Sequence, residues 1–524
     1  MKKIFLFCAA VLVALAANAE VKNIEPGTDK LTNALKSAAD GDVLVLAAGT
    51  YTESTDYIVF DKNVEVKAAE GAKPQIDVVN YIKVSGEKTV KIQGLKFNGE
   101  AQGSRDQYIR IYAGENNIEV IDCEFDAIKK NIFRCEASNK FASLKVKNCK
   151  FNNSASNVMS LESALCGDIE FDGCEFTWGT AVPIHFKATA HAEKLKVNNC
   201  YFHDGKRAAV FFEDPSPAAA LCDSVFVTNS TFAKIENTDD YWVSIIDIRN
   251  GKSQTKLGYA LVDHCTFYDC KTINTDHVAV RIHKSTDATV SNCIFWDPNQ
   301  KADEDGTKRA ATNLYGGDVK NCIAYNYLHG TEGHIHNGAT YTACSQADPL
   351  FADAANGDYT ISVISPAFKA GTDGKHLGDP RWWPEPIADG YYLIYSEWKL
   401  DDLGGKFEKN PKKETEYMLN VDLTLGYGIK VCKVVNEVIT DYYPDGMGNE
   451  YIVDADHAGK KCIYFDGTTH SGWLAGEYIW IDEWVATGIN NVEAAEKAVK
   501  MIENGQLIII KNGVKFNAQG TIVR

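Results

Sequence analysis

The chain has 524 residues, enough for two or three domains, and a formal net charge of −17. This acidic balance argues against a nucleic-acid-binding protein, which needs a basic stripe on its surface. Beyond the amino terminus no stretch is apolar enough to predict a transmembrane span.

Residues 1–19 predict a secretory signal peptide. A basic tip, an apolar core and an Ala-x-Ala-like end follow one another, with cleavage expected after Ala19. We therefore expect a secreted or cell-surface protein, and outer-membrane association is compatible with this pattern.

A short helix is predicted directly after the signal peptide. Residues 29–39 place four apolar side chains at helical spacing, namely Leu31, Ala34, Leu35 and Ala38. Asp29 or Thr28 is the expected amino-terminal cap. A helix here would cover the open end of the β-structure that follows and prevent edge-to-edge association.

A short sequence motif repeats through residues 90–325. It consists of alternating apolar and polar residues, a residue that we call the corner, a position usually held by cysteine that we call the slot, and then an aromatic residue. The slot holds, in order, Leu95, Cys123, Cys149, Cys174, Cys200, Ser230, Cys265, Cys293 and Cys322, at spacings of 25 to 35 residues. A repeat of this length made of β-rich runs is typical of a solenoid. We predict a right-handed parallel β-helix of about nine or more coils over residues 20–378.

The residue before each slot is a type that tolerates a left-handed backbone, so each coil is expected to turn there. These corners are Gly94, Asp122, Asn148, Gly173, Asn199, Asn229, His264, Asn292 and Asn321. Cysteines stacked one per coil are interpreted as small buried hydrophobes. A disulfide framework is the alternative for an exported protein.

The helix and the Gly-Asp…Leu…Gly-Thr-Tyr run of Asp40–Thr52 resemble the entry to the pectate-lyase-like superfamily, particularly its chondroitinase B and alginate lyase branch. The segment Ala347–Trp382 resembles the terminal coil of secreted β-helix proteins from glycan-degrading Bacteroidetes. The resemblance implies that a polysaccharide lies across the outer face of one parallel sheet.

The strands of that sheet are expected in the run of alternating apolar and polar residues that follows each copy of the motif, where every second side chain points outward. The first outward column is Arg110, Arg134, Ser160, His185, Phe211, Asp247, Arg281 and Asn313. The second is Tyr112, Glu136, Glu162, Lys187, Glu213, Arg249, His283 and Tyr315. Two interpretations remain open: a functional groove, or a solvated face whose opposite charges pair across coils.

Uronate β-elimination needs a cation for the carboxylate, a base for the C5 proton and an acid for the leaving oxygen. The expected catalytic residues are Lys187, Arg249, Arg281 and His283, and the expected substrate-binding residues are Arg110, Tyr112, Arg134, His185, Asp247 and Tyr315. Similarity to chondroitinase B implies Ca²⁺, with Glu136, Glu162 and Glu213 as expected oxygen ligands. Hydrolysis by clustered aspartates is disfavoured because Asp247 stands alone on this face.

Residues 379–386 are proline-rich and predict a semi-rigid linker. Short aromatic strands over 387–484 then predict a small antiparallel β-sandwich, faintly similar to the starch-binding modules of outer-membrane glycan-uptake systems. Trp398 and Trp473, with Trp480 and Trp484, are candidates for a sugar-stacking platform. The alternative is that these tryptophans belong to the core.

Residues 485–524 resemble a type IX secretion sorting tail, which implies export machinery as a partner. A plain terminal hairpin turning at Asn512-Gly513 is the alternative. The sequence as a whole favours an exported polysaccharide-binding protein, a lyase if it is an enzyme. The competing hypotheses are a non-catalytic adhesin and a purely structural surface protein.

Overall fold

The computed structural model describes residues 19–54, 57–78, 80–100, 103, 107–112, 114–136, 139–213, 221–237, 243–249, 258–272, 278–283, 287–298, 310–328, 330–395, 399–444, 449–467, 478–485, 499–503, 506–511 and 514–516. The core of the expected signal peptide, Trp398, Trp473 and the Asn512-Gly513 turn lie outside these residues. The chain divides into two compact units at Pro384 and Glu385.

The first unit is a parallel β-helix with three sheets, in which each strand pairs with the equivalent strand of the next coil. Sheet A contains Val21–Ile24, Val43–Leu46, Val64–Ala68, Thr89–Gln93, Asn117–Ile121, Lys140–Lys147, Leu165–Asp172, His191–Asn198, Leu221–Thr228, Tyr259–Asp263, Ala288–Ser291, Asp318–Lys320 and Thr340–Thr342. Sheet B contains Thr50–Glu53, Gln75–Val78, Lys96–Asn98, Glu124–Asp126, Lys150–Ser154, Glu175–Trp178, Tyr201–His203, Thr231–Asn237, Thr266–Thr272, Ile294–Trp296 and Ile323–Tyr325. Sheet C contains Tyr57–Phe60, Tyr81–Val84, Gln107–Ile111, Asn131–Glu136, Met159–Glu162, Ile184–Lys187, Val210–Phe212, Ile246–Arg249, Val280–His283, Thr312–Leu314 and His334–His336.

The corner between sheets A and B has a left-handed backbone in each repeat, as predicted. The φ angle is 51° at Asn148, 49° at His264 and 66° at Gly173, and every other predicted corner is also positive. Asn, Asp and Gly tolerate this region better than other residues, which explains the composition of the corner positions. The corner residue thus sets where each coil leaves sheet A.

Two ladders fill the interior beyond the corner. Phenylalanine rings stack from coil to coil, for example Phe176 on Phe202 with centroids 4.3 Å apart and planes 1° apart. All fourteen cysteines of the described residues carry free thiols, and those of the slot are buried. Each slot thiol lies near a backbone carbonyl of the coil before, as Cys174 Sγ does at 3.4 Å from Val146 O. The interpretation of the cysteines as buried hydrophobes is confirmed.

The helix at the amino-terminal end is Lys30–Ser37, and Leu31 and Leu35 join the β-helix core. Its cap differs from the expectation. Asp29 holds the N-cap position without a capping side-chain bond, and the buried Glu53 carboxylate instead accepts from the backbone N–H groups of Leu31 and Thr32, both at 3.0 Å. A carboxylate from the neighbouring strand therefore satisfies the first turn of the helix.

Residues 346–383, which we call the strap, do not form a further coil but run back along the corners of earlier coils. Asn321 Nδ2 donates to Ala370 O at 2.7 Å, Thr372 N to Asn292 Oδ1 at 2.8 Å, and Arg381 Nη2 to Asn199 O at 2.8 Å. Within it lie the antiparallel pair Phe351–Asp353 and Asp358–Ile361 and the 3₁₀ turns Ala354–Asn356 and Pro380–Trp382.

The expected linker at 379–386 is partly wrong for this reason. Asp379 is 1 % exposed and its Oδ2 accepts from Thr231 Oγ1 at 2.7 Å, so residues 379–383 belong to the β-helix unit. Trp382 Nε1 also donates to Thr231 Oγ1 at 2.7 Å. Pro380 here begins a packed 3₁₀ turn.

The second unit contains small antiparallel sheets. One sheet is Leu403–Lys406, Gly390–Ile394, Gly428–Val435 and Val438–Tyr443, with Tyr451–Ile452 paired to the third strand, and a 3₁₀ turn at Leu400–Asp402. The other is Glu408–Lys409, Tyr417–Leu423, Gly459–Phe465 and Ile479–Glu483. Leu393 and Val431 of the first sheet share one core with Val421 and Phe465 of the second. Further along the chain Val499–Glu503, Gln506–Lys511 and Val514–Phe516 form an antiparallel sheet.

Among the described residues, none of the helices has the length and apolar character needed to cross a membrane.

Candidate functional site

The two predicted columns lie side by side on the outer face of sheet C. In the first column Arg110 pairs in register with Arg134, and Asp247 with Arg281. In the second, Glu162 pairs with Lys187, and Arg249 with His283. The alternate residues of the same strands are buried in the core. Alternation along each strand therefore predicted which side chains share this face.

Asp247 is the centre of the most sheltered part of this face. It is 0 % exposed, and both carboxylate oxygens accept from two arginines. Arg281 donates from Nη2 at 2.8 Å and Nε at 3.2 Å, and Arg249 donates from Nε and Nη2 at 3.2 Å. The Ser244 backbone N–H adds a further bond at 2.9 Å. We call this arrangement the Asp247 clamp.

The clamp corrects two predicted roles. A carboxylate with no exposed surface does not contact a glycan, so Asp247 is not a substrate-binding residue. Arg281 is only 8 % exposed, and its Nε and Nη2 donate to Asp247. Arg281 therefore holds the Asp247 carboxylate in place and is not a catalytic cation. Arg249, with 19 % of its side chain exposed, is the guanidinium that remains accessible.

A stack of rings connects the clamp with the earlier coils. The Arg249 guanidinium lies over the Phe211 ring at 5.0 Å, and Phe211 stacks on His185 with centroids 5.2 Å apart. Phe211 also packs with Val182 and Val243 in a small apolar cluster outside the main core. These ring contacts hold the Arg249 guanidinium in a fixed orientation against Phe211.

His185, Glu213 and Lys187 form a second group. His185 is 6 % exposed, and its Nε2 lies 2.9 Å from Glu213 Oε1, away from the direction of a straight hydrogen bond. Burial lowers the pKa of His185, and the contact with His185 lowers the pKa of Glu213. His185 therefore supports Glu213 and is not itself a substrate ligand, which corrects the expectation.

Lys187 has no ion-pair partner among the described residues, although Glu162 and Glu213 occupy the neighbouring coils. Its ammonium is thus available to a ligand. However, Lys187 and His283 are three coils apart in the second column, about 14 Å at 4.8 Å per coil. The four residues predicted as catalytic do not converge on one sugar ring.

The three glutamates expected to bind Ca²⁺ do not share a site. Glu136 is bound by Arg110 at 2.5 Å and by Arg134 at 2.7 Å, and Glu213 contacts His185. Glu162 lies 3.4 Å from Arg134. The described part of the chain contains no group of three or more His, Cys, Asp or Glu side chains arranged to hold a metal ion. These carboxylates do not fit a common ion, because guanidinium groups already neutralise Glu136.

His283 and Tyr315 adjoin the clamp on its far side. Their ring centroids are 4.0 Å apart, and His283 pairs in register with Arg249. Tyr315 is 38 % exposed. Arg249, His283 and Tyr315 therefore form a contiguous row of a cation, an imidazole and a phenol over three consecutive coils.

The sequence reasoning missed the first coils of the face. Tyr57, Tyr81 and Lys83 lie in the strands of sheet C that precede Arg110, and Lys83 pairs in register with Arg110. The signal was present in the alternating runs Tyr57–Phe60 and Tyr81–Val84, which continue the first column toward the amino terminus through Lys83 and Val59.

In the second unit Trp480 is 41 % exposed and stacks on Tyr464, with ring planes 9° apart, and Trp484 is 43 % exposed. These two tryptophans are therefore not core residues. The expected platform residues Trp398 and Trp473 fall outside the described residues.

Residues 260–382 match a protein family described as a domain of unknown function (DUF5123). The match spans the last coils and most of the strap. No curated protein sequence is similar to the chain.

Several solved structures are similar to the chain. One is the PL6 family alginate lyase AlyGC, at 13 % identity and a TM-score of 0.32, covering 63 % of this chain and 40 % of its own length. A second is pectate lyase Pel9A, at 12 % identity and a TM-score of 0.37, covering 68 % of this chain and 92 % of its own. A third is the tailspike protein gp49 of Acinetobacter baumannii bacteriophage Fri1, a capsular polysaccharide depolymerase, at 13 % identity and a TM-score of 0.33, covering 97 % and 83 %. This chain thus spans less than half the length of the alginate lyase.

Proposed function

We propose that the outer face of sheet C binds an acidic polysaccharide and cleaves it by β-elimination. The observation that carries this proposal is the Asp247 clamp, in which one fully buried carboxylate holds two guanidinium groups. Arg249, with 19 % of its side chain exposed, presents its guanidinium on this face, and an acidic group of the ligand would bind there.

A solvated face of paired charges does not explain the clamp. Charges that serve solubility must contact water, whereas Asp247 is 0 % and Arg281 8 % exposed. Burying charged groups costs free energy, and a charge network that serves only solubility gains nothing from that burial. Lys187, two coils away and without an ion-pair partner in the described part of the chain, adds a second point of attachment for the same polyanion.

The row beside the clamp supplies the groups that elimination requires. Arg249 neutralises the uronate carboxylate and so acidifies the C5 proton. His283 accepts that proton, the electron pair forms the C4–C5 double bond, and the C4–O bond breaks. Tyr315 donates its hydroxyl proton to the leaving oxygen. Lys187 and Glu213, three and two coils from His283, contact a neighbouring sugar and take no part in the proton transfers.

We further propose that the protein acts outside the cell, on the support of the signal-peptide pattern in residues 1–19. The exposed Trp480 and Trp484 support a carbohydrate-binding role for the second unit, because exposed aromatic rings pack well against sugar faces.

The test is release of unsaturated uronate, followed by ultraviolet absorbance, from alginate, polygalacturonate and chondroitin sulfate, with and without Ca²⁺. We expect product from one of these, and loss of at least about 100-fold in rate for His283→Gln and for Tyr315→Phe. His191→Gln, on the exposed face of sheet A, is the matched control and should keep full activity. Absence of product from all three polymers would refute the elimination. Binding measured in the same samples would then identify a non-catalytic glycan-binding protein.

A further inference from the structure

Three tyrosines in consecutive coils form a cluster at the amino-terminal end of sheet C. Tyr57 stacks on Tyr81 with centroids 5.4 Å apart and planes 27° apart. The Tyr81 and Tyr112 hydroxyl oxygens are 3.5 Å apart. Tyr57 is 42 % exposed and Tyr112 is half-buried, whereas Tyr81 between them is 9 % exposed. Tyr81 therefore supports two rings that face outward.

Two cations lie over these rings. Lys83 Nζ is 4.7 Å from the Tyr112 centroid and 5.8 Å from that of Tyr57. The Arg110 guanidinium is 4.6 Å from the Tyr112 centroid. Arg110 also pairs with Glu136, but Lys83 has no ion-pair partner among the described residues. Its position is held by ring contacts alone, which leave the ammonium donors free.

Three consecutive positions of the first outward column are cationic. Lys83, Arg110 and Arg134 follow one another in register, and Glu136 is the carboxylate that binds both arginines. A patch with this charge stands out on a chain whose net charge is −17. Charge complementarity therefore selects an anionic ligand, and the outward rings select one with flat C–H faces.

We propose that Tyr57, Lys83 and Tyr112 form a distal subsite that binds an acidic sugar of the same polysaccharide. This inference rests on the proposed function for its choice of ligand. Lys83 is six coils from Asp247 in the first column, about 29 Å at 4.8 Å per coil. Only a chain of several sugars spans both places, so the subsite acts on long polymers and not on short fragments.

The test compares Tyr57→Ala and Lys83→Gln with the matched control Lys91→Gln, which lies in the same coil on the outer face of sheet A. All are made in the His283→Gln background, so that binding is measured without turnover. Retardation in gels containing alginate, polygalacturonate or chondroitin sulfate gives the affinity, and thermal melting checks that each variant is folded. We expect each subsite variant to bind the polymer about tenfold more weakly than the control.

The outcomes separate the subsite from the proposed elimination. In the active background, the subsite variants should raise KM for polymer and leave kcat for a short oligosaccharide unchanged. Wild-type cleavage with unchanged polymer affinity in both variants would overturn the subsite alone. Weakened binding in the variants without any product from the wild type would support the subsite and refute the elimination. No retardation of the wild-type chain by any polymer would overturn both.

Discussion

Individual side chains determine the chemistry of the sheet C face, and Asp247 makes the largest contribution because it binds two arginines. Its carboxylate receives five hydrogen bonds and lies at 0 % exposure, so removing its charge takes away a buried anionic acceptor that two arginines share. The register made it predictable that Asp247 and Arg281 are neighbours. Which of the charged side chains is buried was not predictable, because that depends on what packs over the strands.

Asp247→Asn is therefore expected to lower the free energy of unfolding by about 3–5 kcal/mol, because it uncouples a buried ion pair. Asp168→Asn is the matched control, since Asp168 pairs with Lys194 of the next coil at 2.9 Å but is 47 % exposed. It should cost about 1 kcal/mol or less. Urea unfolding followed by circular dichroism measures both. Equal losses in the two variants would contradict the assignment of Asp247 as a buried clamp.

At the scale of elements, the repeating strands and corners were predictable and the strap was not. A left-handed corner favours Asn, Asp or Gly, so the sequence shows it at Asn148, Asn199 and Asn292. The strap has no such period, because each of its contacts is made once, with a different coil. Its sequence resembled a terminal coil, yet it hydrogen bonds to the corners of Asn321, Asn292 and Asn199.

The strap carries a pH-dependent contact. Burial raises the pKa of Asp379 from 3.8 to about 6. The folded strap thus binds this proton more tightly than the unfolded chain does, so the contribution of Asp379 to stability falls as pH rises from about 4 through about 6. Ionisation costs up to about 3 kcal/mol above that range.

Asp379→Asn removes this ionisation, so the stability of the variant relative to wild type should improve as the pH is raised from 4 to 7. Thermal melting at both pH values measures the difference. Asp358→Asn in the same strap should show little change between pH 4 and 7, since a hydrogen bond from Thr360 lowers the pKa of Asp358 and its titration lies below this range. A relative stability of Asp379→Asn that does not change with pH would show that the folded strap keeps this carboxylate charged throughout.

At the scale of the whole molecule, the β-helix is a one-dimensional stack in which each coil contacts chiefly its neighbours. Period and alternation predicted that stack, its core and the two outward columns. They did not predict how far apart the catalytic candidates lie along it. Lys187 and His283 share one face but are three coils apart, so the groove divides into subsites along its length.

A stack of this kind is expected to open from its ends, and the cysteine ladder can report the order. Cys344 is partly exposed at the carboxyl-terminal end, whereas Cys174 and Cys200 are buried in the middle. Buried thiols react only when their coil opens. In mild denaturant we expect alkylation of Cys344 and Cys322 before Cys174 and Cys200, located by peptide mass mapping. Cys432 and Cys462 report separately on the second unit. Simultaneous labelling of the whole ladder would instead show that the β-helix unfolds as one cooperative body, its coils coupled more strongly than nearest-neighbour contacts imply.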